Sequence, residues 1–361
     1  KGPSDTAWIF EYGAPGFTPG TGTSINSSSD TVRISGLTPV TDYCVYVRGI
    51  CGIGDTSLYF GPYCFKTRCV SSLSGLYTIN STLPTGGLNY ASFADAMNAL
   101  NNCGVSGPTT FNVKQGTYTE QVDLGLIVGT SSTNTITFQG DPTNTTAAIL
   151  TYSATTTANN FVVRFDGAEH IIFNDMTLTA GGTTYAYVLE FPSSAKNITI
   201  KNSILNGNSI GTTSTLSSVI YNGFGTAVTE DVTIDSNQIN NGSYAIYWRG
   251  GSTATQEKNT TVTNNVINGF AYYGVYFYYT DSLIFDNNDM EQLTTATSFC
   301  YGIYTYYNNN TKVRGNRLEL HNTTTNYGIM IGRYAGTDNE VSNNMIITSE
   351  NCSPTNTAYG V

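Results

Sequence analysis

Residues 274–280 read GVYFYYT, residues 302–308 read GIYTYYN, and residues 245–251 read AIYWRGG. Apolar residues alternate with tyrosines in these phrases, which is the period of a strand with one buried face. Four further phrases share the pattern: FVVRFDG (161–167), YVLEFPS (187–193), SVIYNGF (218–224) and GIMIGRY (328–334). The first core column is predicted to be Val163, Leu189, Val219, Ile246, Val275, Ile303 and Ile329. Its steps of 26 to 30 residues indicate one repeated structural unit.

Further apolar columns follow at the same period. The second column in the first strand is predicted to be Phe165, Phe191, Tyr221, Trp248, Phe277, Thr305 and Ile331. A second strand has its core column at Ile200, Ile234, Val262, Phe285, Val313 and Val341, and a third starts near Ile239, Ile267, Met290, Leu318 and Ile346. Such repeats are too short for propeller blades and lack helical periodicity. The pattern therefore predicts a parallel β-helix, in which each strand pairs with its equivalent one coil away.

One asparagine recurs between the second and third strands, at Asn237, Asn265, Asn288, Asn316 and Asn344. Asparagine tolerates the left-handed backbone of tight turns, and stacked amides bond one another. This pattern resembles the asparagine ladder of the right-handed, pectate-lyase-like β-helix family. Residues 88–140 resemble the start of such a helix. There Ser92 is predicted to cap a short helix over 93–102 that covers the open end of the core.

The resemblance covers about residues 75–361. It assigns 88–361 to a right-handed β-helix that is expected to continue beyond the C-terminal end, with 70–87 as a linker. Residues 1–69 are predicted to be a separate small β unit with strands at 8–12, 31–34, 43–49 and 63–67. Its segment LTPVTDYCVYVRGICG (37–52) resembles the tyrosine corner of fibronectin type III domains. The resemblance implies an incomplete sandwich in which Tyr43 bonds to upstream backbone.

Composition excludes several functions. The 361 residues carry a formal charge of −10, and only 11% are charged. We expect no nucleic-acid partner, because phosphate contacts need a basic face. We also expect no membrane span in this segment, because no apolar run approaches the ~18–20 residues of a membrane helix. Seven cysteines without CxxC pairs or a histidine cluster favour disulfides over zinc, with Cys44 and Cys64 as one candidate pair. Disulfides favour an extracellular or cell-surface location.

Two acidic groups are weak catalytic candidates. One contains Asp166 and His170, and the other contains Asp286 and Asp289. In the family that the chain resembles, lyases use Ca²⁺-binding carboxylates with an Arg or Lys base, and hydrolases use paired Asp residues with a His. The alternative is that both groups are solvated turns and surface ion pairs. We expect no cofactor, with Ca²⁺ at the Asp286–Asp289 turn as the exception considered.

The outward positions of the first strand are rich in tyrosine. One outward column is predicted to be Arg164, Glu190, Ile220, Tyr247, Tyr276, Tyr304 and Met330. The next is predicted to be Asp166, Pro192, Asn222, Arg249, Tyr278, Tyr306 and Gly332. The tyrosines should then stack on successive coils. Such a patch suits a sugar or a protein partner, although a ladder that only stabilises the sheet is an equal alternative.

Two functions stay open on the sequence. The first is a non-catalytic segment of a large exported surface protein, similar to the adhesins and filaments of Bacteroidota. Its tyrosines would bind a polysaccharide, a surface glycan or another part of the same protein. The second is a polysaccharide lyase, epimerase or glycoside hydrolase that acts on an acidic polysaccharide. The fold alone does not choose between them.

Overall fold

The computed structural model describes residues 7–52, 54–69, 71–223, 225–292, 299–321, 325–333, 336, 338–348 and 357–359. The chain divides into two compact units, Lys1–Ser72 and Leu73–Val361. Nearly every regular element is a β-strand. Within the described residues, no helix is both long and apolar enough to cross a lipid bilayer.

The second unit is a parallel β-helix built from three sheets. Sheet 1 contains Val122–Leu124, Val163–Phe165, Leu189–Phe191, Ile220–Asn222, Tyr244–Arg249, Tyr273–Tyr278, Phe299–Tyr306, Thr325–Gly332 and Thr357–Tyr359. Sheet 2 contains Leu73–Ile79, Asn89–Tyr90, Val105–Val113, Ile136–Gln139, Glu169–Asn174, Lys196–Lys201, Glu230–Asp235, Glu257–Thr263, Thr280–Asp281, Ile284–Asp286, Lys312–Arg314 and Glu340–Ser342. Sheet 3 contains Gly116–Thr119, Ala148–Tyr152, Thr177–Ala180, Ile204–Asn206, Gln238–Asn240, Val266–Asn268, Asp289–Glu291, Arg317–Leu320 and Met345–Thr348. Each strand pairs in parallel with its equivalent on the next coil, so the predicted right-handed parallel β-helix is confirmed.

The apolar columns stack inside the coils as the repeat predicts. Val275 is paired in register with Ile303, and Ile234 with Val262. Aromatic rings continue the core toward the N-terminal end, where the Phe138 and Phe173 rings stack with centroids 4.8 Å apart. Burial of these columns on successive coils makes one continuous hydrophobic core along the helix.

The predicted register is wrong by one residue on a single coil. Leu189 pairs with Ile220 rather than Val219, and Ile220 pairs with Ile246. Tyr221 therefore lies on the outer face, and Asn222 takes the buried position between Phe191 and Trp248. Val219 and Ile220 are both apolar and both buried, because the chain enters this strand from a buried corner. A two-residue period cannot tell which of two adjacent buried residues belongs to the strand.

The asparagine ladder and the capping helix are both present. From Asn265 onward, each ladder side-chain oxygen accepts from the backbone N–H of the ladder asparagine one coil earlier; the Asn265 Oδ1, for example, lies 2.9 Å from the Asn237 nitrogen. The Asn237 oxygen accepts from the Ser203 N–H at 3.0 Å. The helix Phe93–Cys103 begins after Ser92, whose hydroxyl accepts from the Asp95 N–H at 3.0 Å. The Glu120 carboxylate accepts from further N–H groups of the first turn. The helix buries its apolar stripe over the core.

Part of the segment predicted as a linker belongs to the β-helix. Leu73–Ile79 is a strand that pairs in parallel with Val105–Val113 in sheet 2. The β-helical unit therefore starts at Leu73. The sequence LSGLYTI did not reveal this strand, because its pairing partner comes about thirty residues later.

Charged residues on the outer surface form columns of alternating sign. On sheet 2 the register places Glu169, Lys196, Glu230, Lys258 and Asp281 on successive coils. The Glu230 carboxylate lies 3.2 Å from the Lys196 ammonium and 3.5 Å from that of Lys258. Neighbouring charges in this column are thus always opposite in sign, which favours this register over one shifted by a residue.

The first unit is one antiparallel sheet of Ala7–Gly13, Thr23–Ser27, Asp42–Gly52, Asp55–Thr56 and Phe60–Lys66. The strand expected at 31–34 is wrong; Thr23–Ser27 pairs with the first strand instead. The Thr38 N–H donates to the Tyr43 hydroxyl at 3.2 Å, the type of bond that the fibronectin resemblance implies. Cys44 and Cys64 form a disulfide between two paired strands.

Candidate functional site

A row of stacked tyrosines runs along the outer face of sheet 1. It contains Tyr221, Tyr247, Tyr276 and Tyr304, on four successive coils. Neighbouring ring centroids lie 5.2, 4.9 and 5.0 Å apart, with interplanar angles of 17°, 6° and 3°. The coil rise of ~4.8 Å sets this spacing. The sequence predicted three members of the row, and the corrected register adds Tyr221.

A second ladder, which the sequence analysis missed, supports the row from one side. It contains Tyr244, Tyr273, Tyr301 and Tyr327, each stacked on the next at 4.4 to 4.9 Å. Its rings meet the row edge to face; those of Tyr273 and Tyr276, for example, lie at 89° with centroids 5.5 Å apart. A Tyr-x-x-Tyr spacing that recurs on three coils was the available signal.

The stacking determines what the row offers to a ligand. The faces of Tyr247 and Tyr276 are covered by their neighbours in the row, so their ring edges remain for contact. The Tyr247 hydroxyl accepts a hydrogen bond from Arg249 and can still donate its own proton. Burial raises the pKa of Tyr276 and Tyr304 above the usual value, and neighbouring tyrosines raise it further. These hydroxyls therefore stay protonated and can donate hydrogen bonds at neutral pH. The row is a line of hydrogen-bonding groups rather than a set of open ring faces.

Tyr278 and Tyr306 lie beside the row, as predicted. Their rings stack with centroids 5.5 Å apart, and the Arg249 guanidinium lies 5.2 Å from the Tyr278 centroid. Burial, together with hydrogen bonding to Tyr279, raises the pKa of Tyr278 to about 12. The Tyr306 ring occupies the space that a side chain at Gly332 would fill. We call Tyr221, Tyr247, Tyr276, Tyr278, Tyr304 and Tyr306 together the tyrosine face.

On the three coils before Tyr221, charged residues occupy the outward position that tyrosine has in the row. Asp123, Arg164 and Glu190 follow one another and lead to Tyr221. Arg164 donates to the Asp123 carboxylate at 2.9 and 2.5 Å, and its Nη1 lies 4.0 Å from the Glu190 carboxylate. Burial raises the pKa of Glu190 to about 7, despite the opposing effect of Arg164. Glu190 can therefore exchange a proton near neutral pH, which the sequence did not reveal.

The structure does not bring Asp166 and His170 together as an acid–base pair. Asp166 is exposed beyond a strand of sheet 1 and accepts from the Ser193 hydroxyl at 2.5 Å. His170 lies on the outer face of sheet 2. No hydrogen bond or ion pair joins the two side chains in the described part of the chain.

Asp286 and Asp289 are each paired with an arginine on the next coil. Arg314 donates to both carboxylate oxygens of Asp286, and its Nη2 lies 2.5 Å from Oδ2. Arg317 Nη1 donates to Asp289 at 2.8 Å. These carboxylates are thus neutralised by the protein itself. Across the described ranges, no three His, Cys, Asp or Glu side chains are grouped to hold a metal ion.

Known proteins resemble the chain only distantly. No family profile and no curated protein match it. Pectin methylesterase from Aspergillus niger is similar over 75% of this chain and 90% of its own, at 14% identity and a TM-score of 0.45. The similarity to Dettilon tailspike protein covers 78% of this chain and 63% of the tailspike chain, at 10% identity and a TM-score of 0.34. The similarity to the Yersinia enterocolitica family 28 exopolygalacturonase covers 91% of this chain and 75% of the exopolygalacturonase chain, at 11% identity and a TM-score of 0.28. The β-helix assignment itself follows from the parallel sheets of this chain.

Proposed function

We propose that this chain is a non-catalytic segment of a large exported surface protein, of the adhesin or filament type, and that its tyrosine face binds a neutral glycan. The stacked row of four tyrosines carries the proposal. It offers hydroxyl donors at a fixed repeat on a rigid surface, and a polysaccharide offers hydroxyl partners at a fixed repeat. The Cys44–Cys64 disulfide supports an extracellular or cell-surface location.

The charges around the row favour a neutral ligand over an acidic one. Arg164 is bound by Asp123 and lies close to Glu190. Arg249 lies over the Tyr278 ring, beside the row. The net charge of −10 repels polyanions at long range. An acidic polysaccharide would therefore meet few available cations here.

Removal of the hydroxyls tests the proposal without disturbing the stack. The triple variant Tyr247→Phe, Tyr276→Phe, Tyr304→Phe keeps every ring, and Tyr152→Phe on sheet 3 is the matched control. We expect a neutral β-1,4-linked hexasaccharide to bind the native chain and the control equally, and the triple variant at least tenfold more weakly, by isothermal titration calorimetry. Equal binding by the triple variant, or no binding by the native chain, refutes the proposal.

Glu190 gives a reason to retain the enzymatic alternative. Its raised pKa and its position at the head of the row would suit a general acid in a polysaccharide lyase, epimerase or hydrolase. Incubation of the native chain and of Glu190→Gln with neutral and acidic polysaccharides decides between the two functions. Release of new chain ends, as by a lyase or hydrolase, or inverted sugar residues in the nuclear magnetic resonance spectrum of the uncleaved polysaccharide, as by an epimerase, would establish the enzyme if the native chain but not the variant produced them. We expect neither change with either protein.

A further inference from the structure

The outer face of sheet 2 contains a groove that the tyrosine face does not involve. Its volume is about 580 Å³, within the usual range for ligand sites. The groove crosses five successive coils, from the strand Ile136–Gln139 to the strand Glu257–Thr263. At a coil rise of ~4.8 Å this is a length of about 19 Å along the helix axis. We call it the threonine groove; it is lined by Ser132, Thr135, His170, Ile172, Asn197, Thr199, Asp231, Thr233, Asn259 and Thr261.

The backbone produces one wall of this groove. His170, Asn197, Asp231 and Asn259 occupy the same place in consecutive strands, and all have φ between 52° and 58°. This left-handed conformation is uncommon for residues other than glycine. Its repetition on four coils interrupts each strand at the same place. The left-handed residue is therefore a repeated feature of sheet 2 on these four coils and is not confined to one loop.

The second wall is a column of β-branched residues. Ile172, Thr199, Thr233 and Thr261 follow one another in register, with side chains on the outer face. In the described part of the chain, no hydrogen bond engages the hydroxyls of the three threonines. The two columns thus form parallel lines that repeat once per coil. The first presents an imidazole, two amides and a carboxylate, and the second presents three hydroxyls after Ile172. Only Ile172 contributes a purely aliphatic side chain.

The chemistry of the lining selects the class of ligand. No Lys or Arg lines the groove, and Asp231 contributes a negative charge, so an anion is disfavoured. Asp231 is the only carboxylate in the lining and already accepts from the Asn259 amide at 2.9 Å, too little for a divalent cation. One isoleucine is too small an apolar surface for a lipid. An uncharged polyhydroxylated molecule fits this lining, because its hydroxyls can both donate to and accept from the amides and hydroxyls of the groove.

We propose that the threonine groove is a second glycan-binding site, which takes a neutral, extended polysaccharide parallel to the helix axis, with about one sugar per coil. This site does not rest on the tyrosine face, because the two lie on different sheets and share no residue. Two parallel tracks on one rigid rod would let a single molecule hold two polysaccharide chains. Binding at both sites raises the effective concentration of the second chain.

The test removes the hydroxyls while keeping the branched shape. Thr199→Val, Thr233→Val, Thr261→Val is the groove variant. Thr117→Val, Thr119→Val is the matched control, since these exposed threonines lie on a strand of sheet 3, away from the groove. All proteins carry Tyr247→Phe, Tyr276→Phe and Tyr304→Phe, so that binding at the tyrosine face is suppressed. The probes are neutral β-1,4-linked hexasaccharides and a hexagalacturonate, titrated by calorimetry.

We expect a neutral hexasaccharide to bind the control at least tenfold more tightly than the groove variant. Hydrogen–deuterium exchange on the native chain gives a second measurement that does not depend on variant folding. There, saturating hexasaccharide should slow exchange at 197–199, 231–233 and 259–261. Unchanged exchange in these segments, equal affinities of variant and control, or tighter binding of hexagalacturonate would each overturn the proposal. Absence of binding by every probe would also overturn the proposal. That result would not bear on the tyrosine face, which is tested separately by its own variants.

Discussion

The buried asparagine ladder should contribute far more stability than an asparagine on the surface. In Asn265→Ala, four hydrogen bonds disappear. The lost oxygen accepts from the N–H and amide of Asn237, at 2.9 and 3.1 Å. The lost amide donates to the Ile234 carbonyl and to the Asn288 oxygen, each at 2.9 Å. The site is almost completely buried, so solvent cannot replace these partners.

The magnitude follows from the groups left without a partner. The Asn237 backbone N–H and the Ile234 carbonyl each lose their bond to this side chain, at about 1–3 kcal/mol per buried group. We therefore expect Asn265→Ala to lower the free energy of unfolding by about 4 kcal/mol in urea titrations followed by circular dichroism. Asn240→Ala is the matched control, because Asn240 is a half-buried asparagine on the outer face of sheet 3. It should cost less than about 1 kcal/mol.

Two results would refute this reasoning. A loss below about 1 kcal/mol in Asn265→Ala would mean that the ladder amides are not essential partners of the turn backbone. Equal losses in both variants would mean that burial does not determine the cost. Either result would also remove the physical basis for the fixed asparagine position in the repeat.

Three further predictions concern other parts of the molecule. Burial raises the pKa of Glu257 from an ordinary 4.5 to about 7, although the hydrogen bond that its carboxylate accepts from the Thr229 N–H lowers the pKa. The contribution of Glu257 to stability is therefore complete below pH 4.5 and decreases by roughly 3 kcal/mol as the pH rises from 4.5 through 7, so Glu257→Gln should reduce the loss of stability between pH 5 and pH 8 in denaturant titrations. In Gly332→Ala, the new methyl group would lie 2.2 Å from the Tyr306 ring; we expect a loss of about 1–3 kcal/mol and an altered near-ultraviolet circular dichroism spectrum. Replacement of Cys44 and Cys64 by alanine should destabilise the first unit by about 3 kcal/mol, because their disulfide closes a 20-residue separation; differential scanning calorimetry measures it.

Each of these three predictions has a clear contrary outcome. A Glu257→Gln variant with the pH profile of the native chain would show that this carboxyl does not carry the pH dependence. An unchanged aromatic signal in Gly332→Ala would show that the ring has room. An unchanged melting profile after loss of the disulfide would show that the unfolded first unit is not restricted by it.

The sequence predicted those features that repeat on every coil. The core columns, the asparagine ladder and the capping helix each leave a periodic or local signal, because equivalent residues meet the same environment on each coil. The single error of register is on the strand Ile220–Asn222, where a polar residue occupies a position that is apolar on neighbouring coils. Asn222 is polar at a core position, and its carboxylate neighbour Glu257 lies 35 residues away on the next coil.

The site was only partly predictable for a related reason. Alternation identified Tyr247, Tyr276 and Tyr304 as outward residues, but it could not show that their faces cover one another. Ring orientation depends on packing against the ladder that includes Tyr273, at the beginning of the strand. The raised pKa of Glu190 depends likewise on burial, which a sequence pattern does not give.

The alternating charge column on sheet 2 limits how this rod can lengthen. Glu169, Lys196, Glu230 and Lys258 change sign with every coil. Duplication or deletion of one coil would bring two like charges together at the junction, whereas a change by two coils would preserve the alternation. Between Glu169 and Asp281, insertion or deletion of two coils therefore keeps opposite charges adjacent, whereas a change by one coil places like charges side by side at the junction. In this part of the β-helix, the column favours changes of length by an even number of coils.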